Sequence, residues 1–208
     1  MKEYITIASD EVTIENVIEK SRFIASAVHV DTVEQAVEFV EQKRKRYYDA
    51  THNCYAYIVG NKAKFSDDNE PQGTAGLPMY ECIKNNNLDF VCVVVTRYFG
   101  GVKLGAGGLV RAYSGAVADV LKRAERVTMR LCRTAEVTID YSLLKTLRRA
   151  LQGVAIEQNV DFADKVTLHY LFLSESCNTI CNIVSQNTLG QGILKLNGQV
   201  LCPYEIKE

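Results

Sequence analysis

The chain has 208 residues, 47% of them hydrophobic, and 24 Lys and Arg against 25 Asp and Glu give a net charge of −1. That length suits one large or two small domains, and no apolar run approaches the ~20 residues of a membrane span. The N-terminus, Met1-Lys2-Glu3-Tyr4-Ile5-Thr6, lacks the basic, apolar and small-residue zones of a secretory signal, so a cytoplasmic protein is expected.

In chain order, residues 4–8 and 11–19 are rich in β-branched side chains and predict two short strands. Ser21 to Val30 predicts a third. Asp31 or Thr32 can cap a helix with the apolar stripe Val33, Ala36, Val37 and Val40, ending in Lys43-Arg44-Lys45-Arg46. Cys54 to Val59 reads as a strand stopped by Gly60-Asn61. Residues 65–78 are turn-rich, with two prolines and two glycines beside Asp67, Asp68 and Asn69. Met79 to Lys84 continues as a short helix. Phe90 to Thr96 is almost wholly apolar, the pattern of a central strand covered on both faces. Five glycines then fall within the nine residues from Gly100 to Gly108. Behind them Leu109, Tyr113, Val117, Val120, Leu121 and Ala124 recur at helical spacing.

The character changes near Arg133. A strand (135–140), helix (142–152), strand (154–161), strand (165–173), helix (176–187) and strand (193–202) follow one another, the β-α-β-β-α-β order of a ferredoxin-like domain. The expected fold class is therefore α+β in two domains, 1–133 and 134–208. The seven cysteines lie mostly within apolar patterns and read as reduced, packed side chains rather than a disulfide framework. Cys177 and Cys181 share a helix face, but His169 is the only other nearby zinc ligand, so no metal site is expected.

The strand, glycine loop and helix over residues 91–115 form the layout that cradles phosphate in several nucleotide folds. Gly105, Gly107 and Gly108 would let backbone N–H groups approach an anion. Arg97 and Lys103 flank the loop and Arg111 lies one turn into the helix. The loop is not a Walker A, because no Gly-Lys-Ser/Thr follows it, and it lacks the dinucleotide fingerprint. Charge is unevenly spread. Residues 1–42 hold nine acids and three bases, a net −6, whereas 97–133 hold eight bases against Asp119 and Glu125, a net +6. Lys43, Arg44, Lys45 and Arg46 make a second basic block, and His52 follows it. Such clustering is the footprint of a nucleic-acid or phosphate surface, or of a solvated helix face. Asp67, Asp68 and Glu70, with Gly73 and Thr74, could hold Mg²⁺ or serve as acid or base. An ordered turn, in which these side chains satisfy backbone groups, is the favoured reading.

Two longer segments, Ser66-Asp67-Asp68-Asn69-Glu70-Pro71-Gln72-Gly73-Thr74-Ala75-Gly76 and Val95-Thr96-Arg97-Tyr98-Phe99-Gly100-Gly101-Val102-Lys103-Leu104-Gly105, resemble the signature motifs of the IMPACT/YigZ family. Ser21-Arg22-Phe23-Ile24-Ala25 and His52-Asn53-Cys54-Tyr55-Ala56-Tyr57 are similar to its two earlier motifs. Asn69 departs from the family's usual glycine, and Asn is the next-best residue for a left-handed turn. The resemblance implies a first domain with the α+β fold shared by a ribosomal-protein domain, GHMP-type kinases and elongation factor G. It implies a second domain like the C-terminal domain of that factor. Eukaryotic relatives regulate translation under amino-acid starvation by competing for an activator of an initiation-factor kinase. Residues and resemblance together give the expectation of a non-enzymatic regulator bound to RNA, the ribosome or a translation factor, without a cofactor. The alternative is a Mg²⁺-dependent phosphate or nucleotide enzyme with a kinase-like fold.

Overall fold

A computed structural model describes residues 3–8 and 10–204. The elements are β1 (Glu3–Ile7), β2 (Val12–Ile18), β3 (Ser21–His29), α1 (Val33–Arg46), β4 (His52–Val59), β5 (Lys62–Ser66), α2 (Gly76–Asn85), β6 (Val91–Tyr98) and α3 (Gly105–Arg123), followed by β7 (Arg126–Ile139), α4 (Leu144–Leu151), β8 (Ile156–Phe162), β9 (Val166–Leu173), α5 (Cys177–Thr188) and β10 (Ile193–Pro203). They fall into two compact units, Ile5–Val127 and 128–204 with residues 3 and 4. Among the described residues, no helix is long and apolar enough to cross a membrane.

The first unit is built on an antiparallel sheet in the order β2-β3-β6-β4-β5. The central strand β6 is buried from Val91 to Arg97 because helices cover both its faces, which is why its sequence is nearly continuous valine. Val91, Val93 and Val95 join Phe23, Met79, Ile83, Leu109 and Tyr113 beneath α2 and α3. Cys92 and Val94 pack with Ala36, Phe39 and Val40 of α1 on the other face. Helix α1 begins where expected, with Thr32 Oγ1 accepting from the Gln35 N–H at 3.2 Å.

Two turns depart from the expected pattern. Strand β5 falls in and before the turn-rich stretch, pairing with β4 through a hairpin at Gly60-Asn61. It is a five-residue exposed edge strand in which Ala63 and Phe65 alternate with Lys62, Lys64 and Ser66, too short to stand out beside the turn residues that follow. The β2–β3 hairpin turns on Glu19 and Lys20, both at positive φ (45° and 65°). Neither is the glycine or asparagine that such a turn ordinarily advertises.

The second unit carries the expected element order. Its strands run β10-β7-β9-β8, all antiparallel, and β1 also pairs with β7. Helices α4 and α5 bury Leu147, Leu151, Ile180 and Val184 against Ala135, Val137, Leu168, Tyr170 and Phe172. Strand β7 is much longer than expected and starts at Arg126; Val127, Met129 and Leu131 alternate along one face until Arg133 takes the position before Ala135 and Val137.

Candidate functional site

Strand register gathers the four segments singled out in the sequence at one end of the first sheet. Arg22 pairs across the ladder with Tyr98, His52 with Arg97, and Tyr55 with Ser66. The starts of β3 and β4, the ends of β5 and β6, and the N-termini of α2 and α3 therefore share one rim. Gly100 is part of the closure: a Cβ there would lie 2.0 Å from the backbone carbonyl of Lys20. Its N–H donates to Ser21 Oγ at 3.2 Å. Thr51 ties the neighbouring loop in, its N–H donating to the Arg97 carbonyl at 2.9 Å and its Oγ1 accepting from the Phe99 N–H at 3.0 Å.

Beneath the rim lies a buried polar network. Arg97 Nη1 donates to Glu70 Oε1 at 2.7 Å, with side chains only 6% and 3% exposed. Tyr113 Oη donates to the same oxygen at 2.7 Å, and His52 Nε2 stands 3.7 Å from it. Burial, then Cys54 and Glu70, push the Tyr113 phenol far above its ordinary range, so it remains a donor. Burial likewise pushes the Cys54 thiol up, and Cys54 Sγ donates to the Asp67 carbonyl at 2.9 Å.

The acidic turn is also structural in its contacts. Asp67 accepts from the N–H groups of Gly73, Ala75 and Gly76 at 2.9, 3.0 and 2.8 Å. Burial alone would raise this carboxyl, but those three N–H groups outweigh it and hold it below the ordinary aspartate value. Asp68 accepts from the Asn53 N–H at 2.6 Å and from Arg44 at 3.3 Å. Thr74 Oγ1 donates to the Pro71 carbonyl at 2.6 Å. Asp68 and Asn69 take positive φ (43° and 68°), so asparagine does supply the left-handed turn residue.

The two helix N-termini on this rim are treated oppositely. The Asp67 carboxylate closes α2. The N-terminus of α3 has no side-chain cap, no acid in its first turn, and Leu104 before it. Gly105 enters at φ +69°, and Gly105, Ala106 and Gly107 are exposed. Among the described residues neither Lys103 nor Arg111, both exposed, has an ion-pair partner at hand, and Phe99, whose ring lies against the Arg97 guanidinium, is 48% exposed. The positive end of a 19-residue helix and its first-turn amide groups thus lie open between Lys103, just before the helix, and Arg111, whose guanidinium reaches back to Gly107.

The Impact N-terminal domain model matches residues 19–121, which hold all four segments. The chain is 38% identical over 185 residues to the IMPACT family member YvyE of Bacillus subtilis, covering 87% of this chain and 85% of that protein. The chain belongs to the IMPACT family. The IMPACT family member YigZ of Escherichia coli is 41% identical over 139 residues, 64% of this chain and 67% of its own. A crystal structure described only as that of an hypothetical protein aligns at a TM-score of 0.63 and 32% identity, over 93% of this chain and 97% of its own.

Within this IMPACT chain, the residues marked by sequence separate into two groups. Lys103, Gly105, Gly107, Gly108 and Arg111 come together on the α3 patch. Arg97 does not join them. It alternates with Val93 and Val95 on the inward face of β6, where a guanidinium needs the buried Glu70 carboxylate. The basic run 97–133 is not one face, because Lys122 and Arg123 lie at the far end of α3, about 26 Å along the helix. In the second block, Lys43 is buried against Glu11, and Arg44 is held by Glu41 and Asp68, leaving Lys45 and Arg46 exposed. Glu70 is the centre of the network, and its weight in the sequence was shared with Asp67 and Asp68. The inward position of Arg97 was the signal that set it apart.

Proposed function

We propose that this IMPACT family member is a non-enzymatic, RNA- or ribosome-associated regulator of translation that grips phosphate backbone through the N-terminus of α3. The observation that carries this reading is the contrast between the α2 N-terminus, neutralised by Asp67, and the open α3 N-terminus flanked by Lys103 and Arg111. Phosphate oxygens suit such amide groups, and the Phe99 ring can stack on an unpaired base. The carboxylates at 67, 68 and 70 are each engaged by backbone, arginine or tyrosine donors, so the geometry favours binding over Mg²⁺-dependent chemistry at this turn. In this reading the first unit is the IMPACT-type domain with the ribosomal-protein, GHMP-kinase and elongation-factor-G type of α+β fold. The second is a ferredoxin-like domain, supported by the order β10-β7-β9-β8.

Filter binding of single-stranded and structured RNA across a salt series tests the reading. Binding at low salt is expected, falling steeply as salt rises because phosphate contacts release counterions. Lys103→Ala and Arg111→Ala should each weaken binding and flatten the slope of log K against log salt by about 0.7 to 0.9. Lys122→Ala, at the other end of α3, should leave both unchanged. Absence of RNA affinity at low salt defeats the proposal.

A further inference from the structure

The preceding chemistry leaves two features of the second unit unused, the Cys177–Cys181 pair and Arg133. Strand β7 sets Arg133 on the same face as Ala135 and Val137, the face that α5 covers. There its Nη1 donates to Cys177 Sγ at 3.7 Å. Among the described residues Arg133 has no carboxylate at ion-pair distance, and its Nε is buried without a partner. Cys181 stands one turn along α5, and its thiol is hydrogen-bonded to that of Cys177. Burial, then the charge and hydrogen bond of Cys177, push the Cys181 thiol up, so Cys181 keeps its proton and donates it. Two donors therefore converge on one sulfur. That sulfur belongs to the first residue of α5, a helix with no side-chain cap and no acid in its first turn. The other thiols differ. Cys54, Cys92 and Cys132 are 0% exposed, and burial pushes all three up. Burial raises Cys82 as well. Cys202 is half-buried like Cys177, but among the described residues no guanidinium donates to it.

We infer that Cys177 is a thiol-modification site, the residue at which a low-molecular-weight disulfide forms a mixed disulfide with this chain. Removing the Cys177 proton gives Arg133 the counter-charge it otherwise lacks, and a thiolate is the nucleophile of thiol–disulfide exchange. The Cys177 sulfur attacks one sulfur of the small disulfide. A new S–S bond forms as the old one breaks, and the displaced half leaves as a thiolate that takes up a proton. The proton lost by Cys177 matches the one gained by the leaving thiol, and the small disulfide is itself the oxidant. Arg133 and Cys181 act as positioning residues that hold the nucleophilic sulfur through their donors. Cys181 does not resolve the adduct. Cβ atoms four residues apart on a helix are about 5–6 Å apart, whereas a disulfide needs about 3.5–4.5 Å. The mixed disulfide is thus the end product while the first turns of α5 stay wound. The inference concerns a different unit from the α3 patch and stands or falls independently of RNA binding.

A time course of the reduced full-length protein with glutathione disulfide at neutral pH, read by peptide mass mapping, tests it. One glutathione on Cys177, ahead of the other six cysteines, is expected, and dithiothreitol should remove it. Cys177→Ser should abolish this first adduct. Arg133→Gln should slow it about threefold, because the lost thiolate is partly offset by the greater nucleophilicity of a more basic sulfur. Arg133→Lys, which keeps the charge, should restore most of the rate. Cys181→Ala, which removes the second donor, should slow the reaction in the same sense and keeps the test interpretable if Arg133→Gln fails to fold. First modification at Cys202 or any other cysteine overturns the inference. So does a Cys177–Cys181 disulfide as the product, or an undiminished rate in the folded Arg133→Gln or Cys181→Ala protein.

Discussion

Removing one member of the Arg97–Glu70 pair leaves the other charge buried with a fraction of its partners. Glu70 would keep Tyr113, and Arg97 would keep a weak 3.4 Å contact with Ser21 Oγ and the faces of Phe23 and Phe99. Arg97→Met or Glu70→Leu should therefore each destabilise the first unit by about 3–5 kcal/mol. The double substitution to apolar residues of similar volume should recover much of that loss, because no charge is then stranded. Urea denaturation of the three variants checks both statements; losses under about 1 kcal/mol for the single changes would assign the pair to an ordinary surface bridge. At this scale the sequence was legible where a residue's backbone preference matched its place, as at Asn69. It was misleading where chemistry and position disagreed. An arginine beside a glycine loop suggests an anion, and only the alternation along β6 places Arg97 among the valines. Glu19 and Lys20 sit in a left-handed turn that their types disfavour, so nothing local announced it.

Helix α2 is started by a residue eight positions before its first cap-side amide, which no local capping rule would find. Ala75 at the cap offers no side-chain acceptor, and Asp67 reaches across the turn to serve instead. Because its carboxyl is held below the ordinary value in the folded state, the charged form contributes stability that is fully present above the unfolded aspartate pKa of about 3.9. That contribution is lost as pH falls through the lower, folded value. Asp67→Asn should thus cost about 1–2 kcal/mol near neutral pH. The gap between variant and parent should narrow as pH drops below about 4. Denaturation midpoints measured from pH 7 to pH 3 check the sign, and a gap that widens in acid contradicts it. Helix and strand periodicity made α1, α3 and β6 readable because each buries one clear stripe or both faces. Edge strand β5 was masked by its shortness and its overlap with the turn-rich stretch, and the start of β7 by Arg133, which takes the position between Leu131 and Ala135 on an otherwise apolar face.

Among the described residues, each of the four apolar clusters draws its members from one compact unit. Two lie in Ile5–Val127 and two in the second unit. The change of character near Arg133 was visible in sequence because a complete β-α-β-β-α-β pattern follows it. The chain passes from one compact unit to the next after Val127, inside β7. Cores that close separately should melt with separate enthalpies. Scanning calorimetry of the full chain is expected to resolve two overlapping transitions rather than one. Met79→Ala, in the first unit, and Leu147→Ala, in the second, remove side chains that are both 0% exposed. Each should lose about 2–5 kcal/mol, and each should shift one transition while leaving the other in place. The pairing of substitutions makes the experiment decisive: if either one moves both transitions equally, the two units unfold as a single cooperative body.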